Sequence, residues 1–327
     1  MKAVTWRAFG AAAEVLQVED LPQPVPASGE VLVKVAFSGV NPSDAKARSG
    51  SRPGVTKPPF EVIVPHSDGA GVITAVGDGV EAARVGERVW IWNGQWQRPF
   101  GTCAEYVALP ADQAVALPEG VSLEDGAVLG IPGLTAAQTV FGSGDVAGQT
   151  VLVSGGGGSV GYLAVQLAAW GGAEVIATCG ARDMARVKAA GATHVFDYAS
   201  PTLAEDILAV SPGGVDRAVE VELGPNLPLL CEVMAPLGTI AAYGSAKDMA
   251  PEMPFGPMLF KALKLDITLI YILPKPERDA AIARLHAAFA AGALSFEAPN
   301  VFALNEAAAA HELVEAGGRK GAVLLAP

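Results

Sequence analysis

The sequence predicts an α/β protein in which a β-rich domain is joined to a doubly wound parallel-sheet domain. Three observations carry this. Val151 to Ser154 runs into Gly155-Gly156-Gly157-Gly158-Ser159-Val160-Gly161, and apolar Val160, Leu163, Ala164, Leu167 and Ala168 follow at helical spacing, which reads as strand, tight turn, helix. From about Glu124 onward apolar strands alternate with helical segments, a pattern that requires a parallel sheet covered on both faces. Before that point short alternating strands are punctuated by Gly and Pro, as in a small barrel.

In the β-rich part, Met1 to Trp6, Glu30 to Phe37 (Val31, Val33 and Val35 on one side), Gly71 to Val76 and Glu87 to Ile91 are expected strands. Gly50 to Pro59 and Asn93 to Phe100 are expected loops. A helix is expected over Leu123 to Leu129. The alternating part then reads as strand Val151 to Val153, helix Val160 to Trp170, strand Glu174 to Thr178 and helix Arg182 to Ala190, stopped by Gly191. Strand His194 to Phe196, helix Leu203 to Val210, strand Asp216 to Val221, helix Leu227 to Met234 and strand Gly238 to Tyr243 follow. Leu265 to Leu273, apolar on both faces, is the expected last strand of this sheet, ended by Pro274 and Pro276. A helix over Arg278 to Ala291 and a strand over Gly321 to Leu325 complete the chain.

The bulk composition excludes several classes. A formal net charge of −12 disfavours nucleic acid and anionic membranes as partners. No apolar run reaches the eighteen or so residues of a membrane span. The chain starts directly as a strand-like segment, so no signal peptide is expected, and its three cysteines, Cys103, Cys179 and Cys231, are odd in number and far apart. Both features point to a reducing, cytoplasmic setting without a disulfide framework.

Gly156, Gly158 and Gly161 fill the pattern G-x-G-x-x-G. The first allows a sharp turn, the second lets backbone approach a pyrophosphate, and the third lets the helix pack on its strand. With Gly157, Ser159 and Val160 they place N–H groups at a helix start, facing an anion. The strand that usually ends in an acid for NAD ends here in Thr178-Cys179-Gly180, and Arg182 and Arg186 follow. A missing carboxylate beside a guanidinium suits the 2′-phosphate of NADPH. Asp183 suits either a ribose or the helix dipole.

These residues resemble a known family. Gly130-Ile131-Pro132-Gly133-Leu134-Thr135-Ala136, Val151 to Gly161, Gly39-Val40-Asn41-Pro42-Ser43-Asp44, Asp68-Gly69-Ala70-Gly71-Val72-Ile73, Ala104-Glu105-Tyr106-Val107 and the tail Ala309-Ala310-His311-Glu312 with Lys320-Gly321 are similar to the medium-chain dehydrogenase/reductase superfamily. Within it they resemble the zinc-free quinone oxidoreductases, which include zeta-crystallin. The resemblance implies a GroES-like catalytic domain (1–123 and 274–327) and a Rossmann domain (124–273), with the active site in the cleft between them and a homodimer joined through the strand at 265–273.

Zinc relatives carry a cysteine at the position of Asn41, a histidine at that of Ser67 and a lobe of four cysteines; this chain lacks all three, so no metal is expected. His66 reads as a loop or packing histidine, and His194, His286 and His311 as surface or core residues. Asn41 is expected to contact a developing oxyanion, or else to be a turn residue before Pro42. Asp44 orients its neighbours or caps a helix. Lys46 stands where many relatives have tyrosine, and Thr102-Cys103 replaces a common aromatic-containing pair, which leaves the substrate open; Cys103 itself reads as a small buried residue. The resemblance further implies Thr135, Gly244, Ser245, Tyr271 and Ile272 for the nicotinamide half of the cofactor, Tyr198 for the adenine ribose or the 2′-phosphate, and Arg319 or Lys320 for the phosphate, beside Cys179, Gly180 and Arg182 at the end of the second strand. The implied activity is NADPH-dependent, zinc-free reduction of a small-molecule quinone. An enoyl or alkenal reductase, and a non-catalytic NADPH- or RNA-binding protein, are the alternatives.

Overall fold

A computed structural model describes residues 1–52 and 54–327; Pro53, inside the expected loop Gly50 to Pro59, lies outside the described residues. The chain divides into two compact units, Met1–Ile131 with Phe296–Pro327, and Pro132–Ser295.

The first unit starts with β1 (Lys2–Thr5), α1 (Ala12–Val15) and β2 (Gln17–Asp20), the two strands pairing antiparallel. β3 (Glu30–Gly39) is the longest strand and leads, through α2 (Pro42–Ser49), to β4 (Asp68–Val76), β5 (Arg88–Ile91), β6 (Tyr106–Pro110) and β7 (Ala114–Ala116). Val31, Val33 and Val35 enter the core with Ile73, Val89, Ile91, Val107 and Leu109, while Lys34 between them faces out. That is the alternation a half-buried strand requires. Two register shifts between β3 and β4 bend the sheet, as bulges do. The expected helix Leu123 to Leu129 is shorter: α3 (Leu123–Gly126), capped by Ser122, gives way to a π-helical turn over Leu129–Gly133 that contains Pro132. Pro132 has no N–H for an α-helical ladder, which accounts for the irregular turn.

The second unit holds α4 (Leu134–Phe141), β8 (Thr150–Ser154), α5 (Ser159–Trp170), β9 (Glu174–Cys179), α6 (Met184–Ala189), β10 (His194–Asp197), α7 (Leu203–Val210), β11 (Val215–Glu220), α8 (Leu223–Val233), β12 (Met234–Ala242), α9 (Phe255–Phe260), β13 (Lys264–Ile267) and α10 (Lys275–Ala290). All six strands run parallel in the order β10-β9-β8-β11-β12-β13, the order of a Rossmann fold. The order reverses between β8 and β11, so the carboxyl ends of these strands mark the crevice where such sheets bind ligands. α8 begins four residues before the expected Leu227, because Pro225 lies in its first turn, where the missing N–H costs no helical bond.

Two expectations are corrected here. The strand expected over Leu265 to Leu273 ends at Ile267; Ile270–Ile272 is a 3₁₀ turn, so Tyr271 and Ile272 lie in that turn and not in a strand. Apolar content alone did not distinguish strand from turn. The helix after Pro274 belongs with the parallel sheet and not with the β-rich unit. Its Ala281, Leu285 and Ala288 are buried, Arg284 lies 4.7 Å over the Phe141 ring of α4 and pairs with Asp145, and Ser295 beyond it bonds Gln166 of α5 at 2.7 Å. Pro274 and Pro276 therefore start a helix rather than end a domain.

The chain then returns to the first unit with β14 (Asn300–Ala303), α11 (Ala307–Ala316) and β15 (Val323–Ala326). β15 pairs with β3 and β14, giving the sheet order β14-β15-β3-β4-β5-β7 with β6 also on β3. α11 buries Ala307, Ala310, His311 and Val314 against Val4, Val40, Val64 and Cys103. Among the described residues no helix is long and apolar enough to cross a membrane.

Candidate functional site

In the first unit the chemistry gathers at the start of α2. Asn41 precedes Pro42, which occupies the first helical position. The Asp44 carboxylate accepts the Asn41 N–H at 2.8 Å, and the Asp44 N–H donates to the Asn41 carbonyl at 3.0 Å. This reciprocal cap fixes the backbone and points the Asn41 side chain at Asp68, where Nδ2 donates to Oδ2 at 2.8 Å. Asp68 opens β4, and a Cβ at Gly130 would press on its other oxygen, so the π-helical turn lies directly against the carboxyl. All three side chains are buried. Burial pushes the Asp44 carboxyl up to about 7, against the opposing Asn41 N–H. Burial, and then the neighbouring Asp44, hold Asp68 well above the usual carboxylate range.

Behind Asp68 runs a buried polar chain. Thr102 Oγ1 donates to the Asp68 carbonyl at 2.5 Å and lies 2.8 Å from Ser38 Oγ; Ser38 Oγ lies 2.8 Å from His66 Nδ1; His66 Nε2 lies 2.9 Å from His311 Nε2. Arg48, also buried, pairs with Glu315 on α11. Sequence reasoning left His66 and His311 without partners, because 245 residues separate them. Cys103 is buried, and burial pushes its thiol well up, as befits an inert packing residue. Lys46 is exposed on α2. Arg319 is half-buried and lies 3.4 Å from the Val314 carbonyl, while Lys320 is exposed and its carbonyl accepts from Asn300 at 2.8 Å. Both belong to the first unit.

In the second unit the glycine turn follows β8. The left-handed conformation falls on Gly155 (φ 69), one residue before the expected Gly156. Gly156 N–H donates to the Thr178 carbonyl at 2.8 Å, which ties the turn to β9. Gly158 is the N-cap of α5, so the N–H groups of Ser159, Val160 and Gly161 open the helix. A Cβ at Gly161 would press into the Gly155 carbonyl, while at Gly158 its nearest atom would be 3.4 Å away. The turn is thus closed toward its helix and open at Gly158, a cradle that fits a pyrophosphate.

Gly180 follows β9, and a Cβ there would lie 3.7 Å from the Tyr198 ring. Arg186 donates to the Gly157 carbonyl, bonds Asp183 at 3.0 Å and lies 5.2 Å over the Tyr162 ring. Arg182 reaches Asp183 at 3.4 Å. Cys179 is buried; burial, then Asp183, push its thiol up to about 11. At the switch point Ser154 donates to Glu220 at 2.6 Å, across β8 and β11, and Asn226 and the Glu222 N–H complete the carboxylate's shell. Glu220, which sequence reasoning missed, is fully buried, and burial raises its pKa. The Gly244 carbonyl accepts from Leu223, and Ser245 Oγ accepts from Gly224 at 2.9 Å. Thr135 is buried on α4. Ile272 is exposed and Tyr271 half-buried beside it.

Among the described residues no three His, Cys, Asp or Glu side chains form a group that could hold a metal ion.

Comparisons with known proteins agree with this arrangement. Residues 27–119 match the alcohol dehydrogenase GroES-like domain, and residues 159–286 match a model described as zinc-binding dehydrogenase. The chain is 32% identical to a human protein named quinone oxidoreductase, over 99% of this chain and 97% of that one. Among solved structures, a quinone oxidoreductase of Pseudomonas syringae has a TM-score of 0.86 at 27% identity, covering 100% of this chain and 99% of that one. A mycobacterial structure complexed with NADPH has a TM-score of 0.86 at 29% identity, covering 100% of both chains.

Proposed function

The chain belongs to the medium-chain dehydrogenase/reductase superfamily, among its quinone oxidoreductase-like oxidoreductases, and on that premise we propose that it reduces a quinone with NADPH and without a metal ion. One observation carries the reading. The Asn41 amide is held by Asp68 while Asp44 fixes its backbone, at the position where the family resemblance places a metal ligand in zinc relatives. An amide NH₂ has two N–H donors. Asp68 takes one, and the other is the donor for a developing oxyanion. Such preorganised donors contribute most where water is excluded.

NADPH, when bound, supplies the hydride. A quinone is already electrophilic, so the protein needs only to orient it and stabilise the oxygen that gains charge. Asp44, with its carboxyl pushed up to about 7, holds or releases a proton at neutral pH beside Asn41. In the second unit the cradle from Gly156 to Gly161 takes the pyrophosphate. Arg182, Gly180 and Tyr198 take the 2′-phosphate, and Thr135, Gly244, Ser245, Tyr271 and Ile272 line the nicotinamide half. Arg319 or Lys320 is a further phosphate contact in this reading, and Lys46 faces the substrate.

The same reading includes a homodimer. β13 is an edge strand, and Ile267 (72% exposed), Ile272, Phe255 and Phe260 leave apolar surface around it. Exposed edges of this kind pair with one another. Three buried, unpaired cysteines suit a reducing cytoplasm.

Steady-state oxidation of NADPH against a panel of quinones and enones tests the function. Faster turnover of quinones, unchanged by chelators, supports it. Faster turnover of enones makes the protein an alkenal or enoyl reductase. Binding of NADPH without turnover of either class makes it a binding protein.

A further inference from the structure

Asp183 occupies an unusual place for a carboxylate beside a phosphate pocket. It is 8% exposed and lies against the glycine turn, its Oδ2 3.0 Å from where a Gly157 Cβ would be. Its N–H bonds the Gly180 carbonyl at 2.9 Å, which fixes it in the turn after β9. Its two oxygens serve two guanidiniums: Oδ1 accepts from Arg186 at 3.0 Å, and Oδ2 lies 3.4 Å from Arg182. The two arginines are held differently. Arg186 also grips the Gly157 carbonyl and the Tyr162 ring, with a side chain 15% exposed. Arg182, with a side chain 59% exposed, stands at the outer side of Asp183.

We propose that Asp183 is the determinant of cofactor choice in this pocket, a resident counter-anion that restrains selection of NADPH and lets NADH compete. The inference rests on the reading of the second unit as a nicotinamide dinucleotide site. Asp183 offsets part of the positive charge of the two guanidiniums it touches. An incoming 2′-phosphate must draw Arg182 away from Asp183 and then lie near a carboxylate, a like-charge contact that weakens it. An unphosphorylated ribose instead offers two hydroxyl donors, and an ionised carboxylate accepts both. The acid absent from the end of β9 is thus replaced by one four residues beyond Cys179, brought back to the glycine turn by Arg186. Both cofactors find a partner, Arg182 for one and Asp183 for the other.

Direct fluorescence titration of NADPH and NADH into wild-type protein and Asp183→Asn, at fixed ionic strength, tests this without a substrate. Asparagine keeps the shape and removes the charge. Asp183→Asn is expected to tighten NADPH and weaken NADH, moving the ratio of their dissociation constants by about tenfold or more, the scale of one charge-assisted hydrogen bond. In the wild type the two affinities are expected to lie within about tenfold of each other. A wild-type preference for NADPH beyond about a hundredfold overturns the inference, and that measurement needs no variant to fold. An unchanged ratio in Asp183→Asn, or equal weakening of both cofactors, overturns it too and leaves Asp183 a structural residue. A wild type that binds only NADH overturns the inference, because Arg182 then serves no 2′-phosphate, and removes the NADPH reading with it. A wild type that binds neither removes the dinucleotide reading and this inference together.

Discussion

His66 Nε2 lies 2.9 Å from His311 Nε2, with both rings buried and stacked at 5.1 Å between centroids. The pair joins the loop before β4 to α11, and His66 adopts φ 77 to make it, a conformation unfavourable for a bulky side chain. One proton fits between the two nitrogens, so the two rings cannot both be charged. Burial, then the neighbouring His311, lower the His66 pKa well below its ordinary value; burial, then Arg48, lower His311 to about 3.

This sets the direction of an acid effect. The unfolded imidazole titrates near 6.5. Between there and about 3 the unfolded chain binds the proton that folded His311 refuses, so the stability contributed by the neutral pair is present above about 6.5 and is lost as pH falls. The slope is about 1.4 kcal/mol per pH unit for one such group. Asp44 and Asp68 act oppositely: their raised pKa values contribute stability below about 4, lost for Asp44 as pH rises to about 7. His311→Phe keeps a ring in place and removes the titration. Urea unfolding from pH 4.5 to 7.5 should show the variant losing less stability on acidification than the wild type. Parallel curves would contradict the assignment. Arg48 and its partner Glu315 on α11 are unchanged in this comparison.

Asn41→Ala should lower kcat by a factor of about 10²–10³ if its amide serves a preorganised oxyanion, with little change in KM for NADPH. Asp68→Asn offers a neutral isostere that still accepts from the Asn41 amide. It should keep kcat within about tenfold of wild type, whereas Asp68→Ala should approach the loss of Asn41→Ala. Equal losses for both Asp68 variants, with hydride transfer rate-limiting, would sink the positioning role.

How much of this was legible differs between the two units. The glycine turn is local: three strand residues, five glycines and a helix face lie within twenty residues, and the structure places all of them as read, apart from the left-handed position at Gly155. The order of the parallel strands also follows from the alternation, since each crossover needs its helix. The polar chain from Thr102 to His311 was not legible. It is assembled by β3, the loops before β4 and β6, and α11, and no spacing rule links residues of that separation. Asp183 was visible as an acid at a helix start, but its two arginine partners and its contact with Gly157 depend on how α6 packs, which composition does not encode.

The turn at Ile270 decides which residue can probe assembly. Ile270 is 5% exposed, so a charge there would damage the fold. Ile267, at the end of β13, is the residue to change. Ile267→Lys should leave the thermal midpoint within a few degrees, since an exposed substitution costs about 0.5 kcal/mol or less. It should shift sedimentation from dimer toward monomer at micromolar protein. A wild type that already sediments as a monomer would remove the dimer.

Arg182→Ala should weaken NADPH by about tenfold and leave NADH unaffected, the lower end of a charge-assisted bond because the side chain is exposed and screened. Loss of both cofactors to the same extent would assign Arg182 to the fold.

Gly161→Ala tests the cradle through packing alone. The methyl would press into the Gly155 carbonyl and meet Gly156 Cα at 3.0 Å, and neither is the end of a flexible side chain. The turn must shift, at a cost of about 1–3 kcal/mol, the usual range for overpacking. The shift moves the N–H groups at the start of α5, so the affinity for both cofactors should fall together. Gly213→Ala is the matched control. A Cβ there has nothing within 4 Å, and its φ lies outside the left-handed region. Alanine at Gly213 should leave stability unchanged or raise it by up to about 1 kcal/mol, by restricting the unfolded chain. Calorimetry of both variants, with and without NADPH, separates the two effects. If Gly161→Ala melts with the wild type and binds both cofactors as tightly, the close approach of α5 to β8 is not what shapes the pyrophosphate site.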